Sequence, residues 1–525
     1  MSVADPHLML AFEGTTVPSW LETRLRESPP AGVTLFREWN MTSPGQVAEL
    51  TAALQDLNSS PLPLLIAVDQ EGGQLIGLEG STPFAGNMAL GAAGDTSLAA
   101  TVANRMGHEL GAVGINVNYA PVADVASQWD NPSLGVRSFG EDPQQVARLT
   151  AAMIRGFRQA GILCTAKHFP GKGEATVDPH YQLPLLDLDL NRLEEVELPP
   201  FRSAFEAGAE LLMMGHYLVP SITGSSEVPI SASERGIDGF VRAQMGFTGL
   251  VITDALDMGA LDQGPAQVVE IITMMRGGTD LLLCMPDPSL QERVRVAVER
   301  GASRDLIDEA TLNASRERIE RLRKSLPTPT LRPGVVGSDQ TDHLDLADEL
   351  AEKSITVVRN DDGLLPLRLE TNARLLSLEP LPTNVTPADT TALYPPVLAD
   401  SLRTHSEYVT EIVYPHQPQR TDIDAAVAQA GQHDLVVVAT VNAASEQADL
   451  VQALIATGKP VVTVALRTPY DLARYPEART HLCTYSGHQP SLTTLAGYLF
   501  NGTGDFGTLP VTIPGHYSRG HGLRI

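Results

Sequence analysis

No feature of this 525-residue chain constrains its fold more than a rhythm that runs to about residue 285, where eight short apolar runs are separated by longer amphipathic stretches. The runs fall at residues 8–12, 33–36, 64–68, 115–119, 162–166, 210–214, 250–253 and 280–284, and segments such as 143–160 and 267–276 carry apolar residues at helical spacing between them. A parallel sheet wrapped by crossover helices demands this alternation, because each strand is buried on both faces and each helix on one. Eight units predict a closed (β/α)8 barrel over residues 1–325, and such barrels gather their chemistry at the carboxyl ends of the strands. The third run ends in Asp69, the fifth runs into Lys167 and His168, the sixth into His216 and the seventh into Asp254. One polar residue at a strand end is ordinary, but the same position repeated around a ring marks a site.

Residues 326–342, LPTPTLRPGVVGSDQTD, hold three prolines and two glycines without hydrophobic periodicity, which predicts a linker. Beyond it, over 343–525, runs at 374–378, 408–413, 435–441, 461–466 and 481–485 alternate with helical segments such as 425–432 and 448–457. This second region reads as a three-layer α/β sandwich. With 37 basic against 63 acidic residues the net charge is −26, a surface that repels phosphate backbones and anionic lipid, so neither nucleic acid nor membrane is an expected partner. No run approaches the roughly 18 apolar residues of a spanning helix, and MSVADPHLMLAFEG lacks the basic region of a signal peptide, which predicts a cytoplasmic location. Cys164, Cys284 and Cys483 are odd in number, far apart and without C-x-x-C spacing, and read as buried thiols.

The densest polar stretch is KHFPGKGEATVDPH at 167–180, a loop sequence punctuated by glycine and proline. Within it Asp178 and His180 stand two residues apart, close enough for the carboxylate to accept a hydrogen bond from one imidazole nitrogen. That bond would fix the tautomer and support the imidazolium while the other nitrogen exchanges a proton, making His180 a candidate general acid/base. The same spacing suits Asp178 capping a turn before Pro179 while His180 merely packs, and the residues alone leave both open. A metal held by His168, Asp178 and His180 would lack the H-E-x-x-H or comparable spacing of known sites, so none is expected. In TDALDM, 253–258, Asp254 sits where barrel carboxylates act, as a nucleophile or, equally, as the cap of a following helix. DQEGG at 69–73 places two acids before paired glycines that let backbone approach a ligand or simply turn the chain. GKGEAT at 171–176 lacks the first glycine and the hydroxyl residue of a phosphate loop, and Gly91 with Gly94 lacks the rest of a dinucleotide fingerprint, so no organic cofactor is expected either. Gly171 and Gly173 around Lys172 suggest that the histidine loop hinges over substrate.

Together, DQEGG, NPSLGVRSFGEDP at 131–143, KHFPGKGEATVDPH and TDALDM, in this order on an expected barrel, resemble the family 3 glycoside hydrolases. The loop with its Asp-x-His pair resembles that of the β-N-acetylglucosaminidase branch, which the β-glucosidases of the family lack. VVRNDDGLLPL at 357–367 and GTGDFGTLPVTIP at 502–514 look like the opening and closing motifs of the family's carboxyl-terminal α/β sandwich domain, so the resemblance spans nearly the whole chain. It implies a retaining, exo-acting β-N-acetylglucosaminidase that removes terminal N-acetylglucosamine from glycans such as peptidoglycan or chitin fragments. It implies Asp254 as the nucleophile, His180 with Asp178 as the acid/base dyad, and Asp69, Arg137, Lys167 and His168 as grips on the sugar's hydroxyl groups. The residues agree on the chemistry, since retention needs one group to form and discharge a covalent intermediate and another to shuttle the proton.

The chain also departs from the family pattern. Gln74 and Gly77 stand where arginines are common, Val136 where an acid often precedes the arginine, and Lys172 where a histidine is frequent, all of which bear on sugar specificity. Other readings stay open. A phosphorylase could use the same groups, because a histidine acid/base repels incoming phosphate less than a carboxylate would. A β-glucosidase or β-xylosidase, or a catalytically silent sugar-binding protein, would share the fold.

Overall fold

The computed structural model describes residues 2–327, 330–337, 341–370, 372–502 and 504–524; residues 328–329 and 338–340 of the expected linker, and Thr503 of the closing motif, lie outside these. Eight parallel strands form the first sheet, in the order Leu282–Cys284, Leu8–Ala11, Gly32–Thr34, Leu65–Val68, Val117–Asn118, Leu163–Phe169, Leu211–Met214 and Leu250–Thr253. A parallel bridge between Ile252 and Leu281 returns the last strand to the first and completes the ring. Every strand overlaps one of the eight expected runs. The fifth differs most, continuing past Ala166 through Lys167 and His168 to Phe169, with a register shift between Ala166 and Phe169.

Alternating side chains explain why the runs are apolar throughout. Met9, Leu65, Val117, Leu163, Leu211 and Met213 fill the barrel interior as one cluster. Their neighbours Leu8, Leu10, Ile66, Val68, Leu212 and Met214 pack outward, in the cluster shared with the helical jacket. Each fully buried side chain of this kind contributes roughly 1.5–3 kcal/mol. Local signals start the helices. At Pro143–Gln159, Asp142 accepts from the N–H groups of Gln144 (2.9 Å) and Gln145 (3.3 Å), and Pro143 takes the first position, where its missing N–H costs nothing.

The second sheet has six strands in the order Thr356–Asn360, Thr480–Cys483, Val461–Ala465, Leu435–Thr440, Leu375–Pro380 and Val409–Tyr414. All neighbours are parallel except the first pair. Helices Leu398–Arg403 and Gln489–Asn501 cover one face, where Leu402 and Leu495 join Val437 and Val464. Helices Arg420–Ala430 and Ser445–Ala456 cover the other, where Ala426 and Leu450 join Val436 and Val438, giving three layers. The five expected runs are strands, and the antiparallel edge strand lies in the VVRN motif.

The described part of the expected linker is tied to the barrel. The Arg332 N–H donates to Ala112 O (2.7 Å) and the Gly337 N–H to Glu109 Oε1 (3.2 Å). The three cysteines are buried and unbridged. Among the described residues no helix is long and apolar enough to cross a membrane.

Candidate active site

The carboxyl ends of the barrel strands open on a cavity of about 570 Å³. Its floor is a network of paired charges. Lys167 Nζ, on the fifth strand, donates to Asp69 Oδ1 and lies equally close to Glu71 Oε1, both at 2.6 Å. Arg137 grips Glu71 through two bonds, Nε to Oε2 at 2.9 Å and Nη2 to Oε1 at 2.8 Å. His168 pairs through Nδ1 with Asp124 Oδ2 at 2.8 Å, and its Nε2 faces Arg137 Nη2 at 3.4 Å. Pairing makes the burial of these charges tolerable. Burial opposes ionisation of Glu71, but the Arg137 and Lys167 charges overcome it and bring its pKa down to about 2. For His168 burial acts in the same direction as the Lys172, Arg137 and Lys167 cations, holding the imidazole neutral with its pKa well below the usual range. A neutral ring with Nδ1–H given to Asp124 leaves Nε2 as an acceptor. Asp69 is the floor carboxylate most open to the cavity, at 24% exposure against 2% for Glu71.

Above the floor lie the ends of two loops. The Asp254 N–H donates to Met214 O (2.9 Å), and the Ala255 N–H donates to Asp254 Oδ1 (2.9 Å), which orients the carboxylate. The next α-helix begins at Gln267 with Ala266 before it, so Asp254 caps no helix. His180 Nδ1–H donates to Asp178 Oδ1 at 2.7 Å, and the His180 N–H reaches the same oxygen at 3.0 Å. The two uses weighed for Asp178 therefore coexist, since its carbonyl also takes the N–H groups of Tyr181 and Gln182 in a turn. Burial works against the Asp178 carboxylate, yet the bonds from His180 prevail and hold its pKa below the ordinary range. His180 Nε2 has no hydrogen-bond partner among the described residues, and the side chain is 26% exposed toward the cavity it lines. The two loops are stitched together by the Gly259 N–H to His180 O (2.9 Å) and the Ala260 N–H to Pro179 O (3.1 Å). A Cβ at Gly259 would meet the Tyr181 carbonyl oxygen at 2.8 Å, so glycine alone permits this approach.

The cavity thus brings Asp69, Arg137, Lys167, His168, His180 and Asp254 to one lining, with Asp178 directly behind His180. Gly171 and Gly173 are closely packed: a Cβ at Gly171 would meet Glu197 Oε2 at 2.7 Å, and one at Gly173 would collide with the Val125 carbonyl oxygen. The expectation that His216 belongs to the site needs correction. His216 is fully buried outside the lining, its Nδ1 bonded to Ser231 Oγ at 2.8 Å. His168 and His180 each turn Nδ1 to a separate carboxylate, and among the described residues no group of three or more His, Cys, Asp or Glu could hold a metal ion.

Three contributors escape sequence reasoning. Glu71 stands in DQEGG, but the partner that reveals its role is 66 residues away. Asp124 is a lone acid inside apolar NYAPVADVA. One wall comes from the second region, where Asn384, Thr386, Ala388, Thr390 and Leu393 line the cavity. Gln74 anchors that wall: its Nε2 donates to Ala388 O (2.9 Å) and its carbonyl accepts from the Thr390 N–H (2.8 Å).

Residues 21–322 match the glycosyl hydrolase family 3 N-terminal domain and residues 355–521 the family 3 C-terminal domain. A β-hexosaminidase A of Pseudoalteromonas piscicida is 31% identical over 562 residues, covering 95% of this chain and 92% of that protein. A β-hexosaminidase of Xanthomonas oryzae pv. oryzae is 35% identical over 288 residues, 53% of this chain and 84% of that one. In structure the chain superposes on a glycoside hydrolase family 3 β-N-acetylglucosaminidase from Paenibacillus sp. with a TM-score of 0.91 at 31% identity, covering 97% of this chain and 98% of the other.

Proposed function

The chain belongs to glycosyl hydrolase family 3 and is a glycoside hydrolase, and from that premise we propose that it is a retaining exo-β-N-acetylglucosaminidase working through a covalent glycosyl-enzyme. Asp254 attacks the anomeric carbon, the bond from that carbon to the leaving oxygen breaks, and His180 Nε2–H gives its proton to that oxygen. In the second step His180 Nε2 takes a proton from water as the water oxygen bonds to the anomeric carbon, and the ester electrons return to Asp254. Asp178 supports the imidazolium that gives up its proton in the first step and forms again in the second. The observation that carries this reading is the His180–Asp178 pair at 2.7 Å, with Nε2 unpartnered and the loop stitched to the one bearing Asp254.

Asp69 accepts from sugar hydroxyls, Arg137 and Lys167 donate to them, and neutral His168 accepts through Nε2. A floor already paired internally suits an uncharged, polar sugar. The wall from residues 384–393 favours entry of one terminal residue, as exo-action requires. The relatives named as β-hexosaminidases and the β-N-acetylglucosaminidase neighbour support N-acetylglucosamine as that residue. Chitin or peptidoglycan fragments in the cytoplasm are the substrates this reading assigns. In it the catalytic unit is residues 1–325, joined by 326–342 to a sandwich over 343–525 that lends the cavity a wall.

Release of nitrophenol from the 4-nitrophenyl β-glycosides of N-acetylglucosamine and glucose, with and without phosphate, tests it. Turnover of the acetamido sugar alone, absent in Asp254→Asn, is the expected result. Preference for glucose, or phosphate-dependent turnover yielding a sugar phosphate, would overturn the substrate or the acceptor respectively, and silence on both would favour a sugar-binding protein.

A further inference from the structure

Most cations lining the cavity have a carboxylate in contact: Arg37 with Glu79 (2.6 Å), Arg137 with Glu71 (2.8 Å) and Lys167 with Asp69 (2.6 Å); the His168 and His180 rings each face one as well, Asp124 (2.8 Å) and Asp178 (2.7 Å). Lys172 is the exception, with no carboxylate within 4.0 Å of its amine among the described residues, and Asp254 likewise has no cation within that distance. Lys172 is 1% exposed and lines the same cavity as Asp254. Its backbone is clamped. The Lys172 N–H donates to Asp124 Oδ1 (3.0 Å), Asn131 Nδ2 donates to Lys172 O (2.8 Å), and the wedged Gly171 and Gly173 stand on either side. A desolvated ammonium without a contact ion pair is costly, and such groups cluster where their charge serves a reaction.

We propose that Lys172 is a positioning residue for the nucleophile: its ammonium is the longer-range counter-charge to the Asp254 carboxylate and draws that carboxylate off the sugar in the second step. This rests on the reading of Asp254 as nucleophile. In the second step the bond between the anomeric carbon and the Asp254 oxygen breaks and its electron pair returns to that oxygen, where the nearby positive charge stabilises it. No proton passes through Lys172. The charges around it are Arg137, which opposes the ammonium, and Asp124, Asp254 and Glu71, which support it; His168 and Asp178 also feel its charge, and Glu197 packs beneath the loop against Gly171. Burial and then Arg137 outweigh the supporting carboxylates, leaving the Lys172 pKa at about 8. Glu197, raised chiefly by burial, also titrates at about 8, so variants of both separate the two groups.

The test is kcat, KM and the pre-steady-state nitrophenol burst for the full chain on 4-nitrophenyl β-N-acetylglucosaminide from about pH 6 to 9. Lys172→Met is expected to lower kcat by about 10²-fold, lower KM with it, and release one nitrophenol per site in a burst, because the second step becomes slow. Lys172→Arg, which keeps its charge, is expected to retain most of kcat and move the alkaline limb above pH 8, while Glu197→Gln leaves that limb in place. An unchanged kcat with raised KM in Lys172→Met would make Lys172 a sugar grip and overturn the proposal, as would an alkaline limb unmoved in Lys172→Arg. If Lys172→Met fails to fold, the Lys172→Arg profile decides alone. Activity surviving in Asp254→Asn would instead sink the underlying reading of the nucleophile.

Discussion

Lys167 on the cavity floor is 2% exposed and held by two carboxylates, whereas His180 on the loop above is 26% exposed and held by one. Much of the floor is fixed in charge: Glu71 is ionised, His168 is neutral with one tautomer, and Arg137 is committed to Glu71, although burial raises the pKa of Asp69 and brings that of Asp124 up to about 6. The loop keeps one imidazole nitrogen open and fixes the other. Recognition calls for fixed donors and acceptors, and proton shuttling calls for a group whose charge can change, so the two regions obey opposite electrostatic rules.

The comparison breaks first at Asp254, which lines the same cavity as both regions. Asp254→Asn is expected to lower kcat/KM for the nitrophenyl substrate by on the order of 10³-fold or more, and near-normal turnover would mean that floor and loop suffice without a nucleophile. His180→Gln is expected to cost about 10²- to 10⁴-fold on a chitin disaccharide, whose leaving oxygen needs a proton, and much less on the nitrophenyl glycoside, whose leaving group does not. Equal losses on both substrates would show that His180 does more than shuttle protons.

Stability sharpens the contrast next. Glu71→Gln strands Arg137 in a buried site, takes one of its two carboxylates from Lys167 and is expected to cost about 3–5 kcal/mol in urea unfolding, while Asp178→Asn at the loop costs far less stability despite its loss of activity. The floor should also dominate acid sensitivity. Glu71 has a folded pKa of about 2 against an ordinary 4.5, a depressed carboxylate, so its contribution is complete above about pH 4.5 and disappears as pH falls toward 2. The urea midpoint of the native chain should therefore drop more steeply below pH 4.5 than that of Glu71→Gln, and parallel curves would contradict the pairing. The smallest effect is expected at the wall, where Gln74→Ala removes one anchor to Ala388 and raises KM for a disaccharide by about 2- to 10-fold with kcat unchanged.

Sequence patterns reveal the two regions unequally. The eight strands are legible because buried parallel strands are apolar on both faces, and each run lands on a strand to within a few residues. The loop dyad is legible because Asp178 and His180 are two residues apart, so local spacing carries their bond. The floor is only half legible: Asp69, Lys167 and His168 follow apolar runs, but Glu71 and Asp124 acquire meaning from partners 66 and 44 residues away, and nothing local encodes such pairs. The glycines at 171 and 173 are ambiguous in sequence for a related reason, since close packing against Glu197 and Val125 selects glycine as strongly as flexibility does. The departure at Gln74 makes sense only once the loop from the second region is seen lying across it.

The most direct test is the mass of the intact chain after incubation with a slow donor such as 5-fluoro-β-N-acetylglucosaminyl fluoride, followed by peptide mapping. One added glycosyl unit, located on the peptide carrying Asp254 and absent from Asp254→Asn, is the expected result. Turnover without any adduct, an adduct on another residue, or a first-formed product of inverted configuration would contradict a covalent mechanism at Asp254.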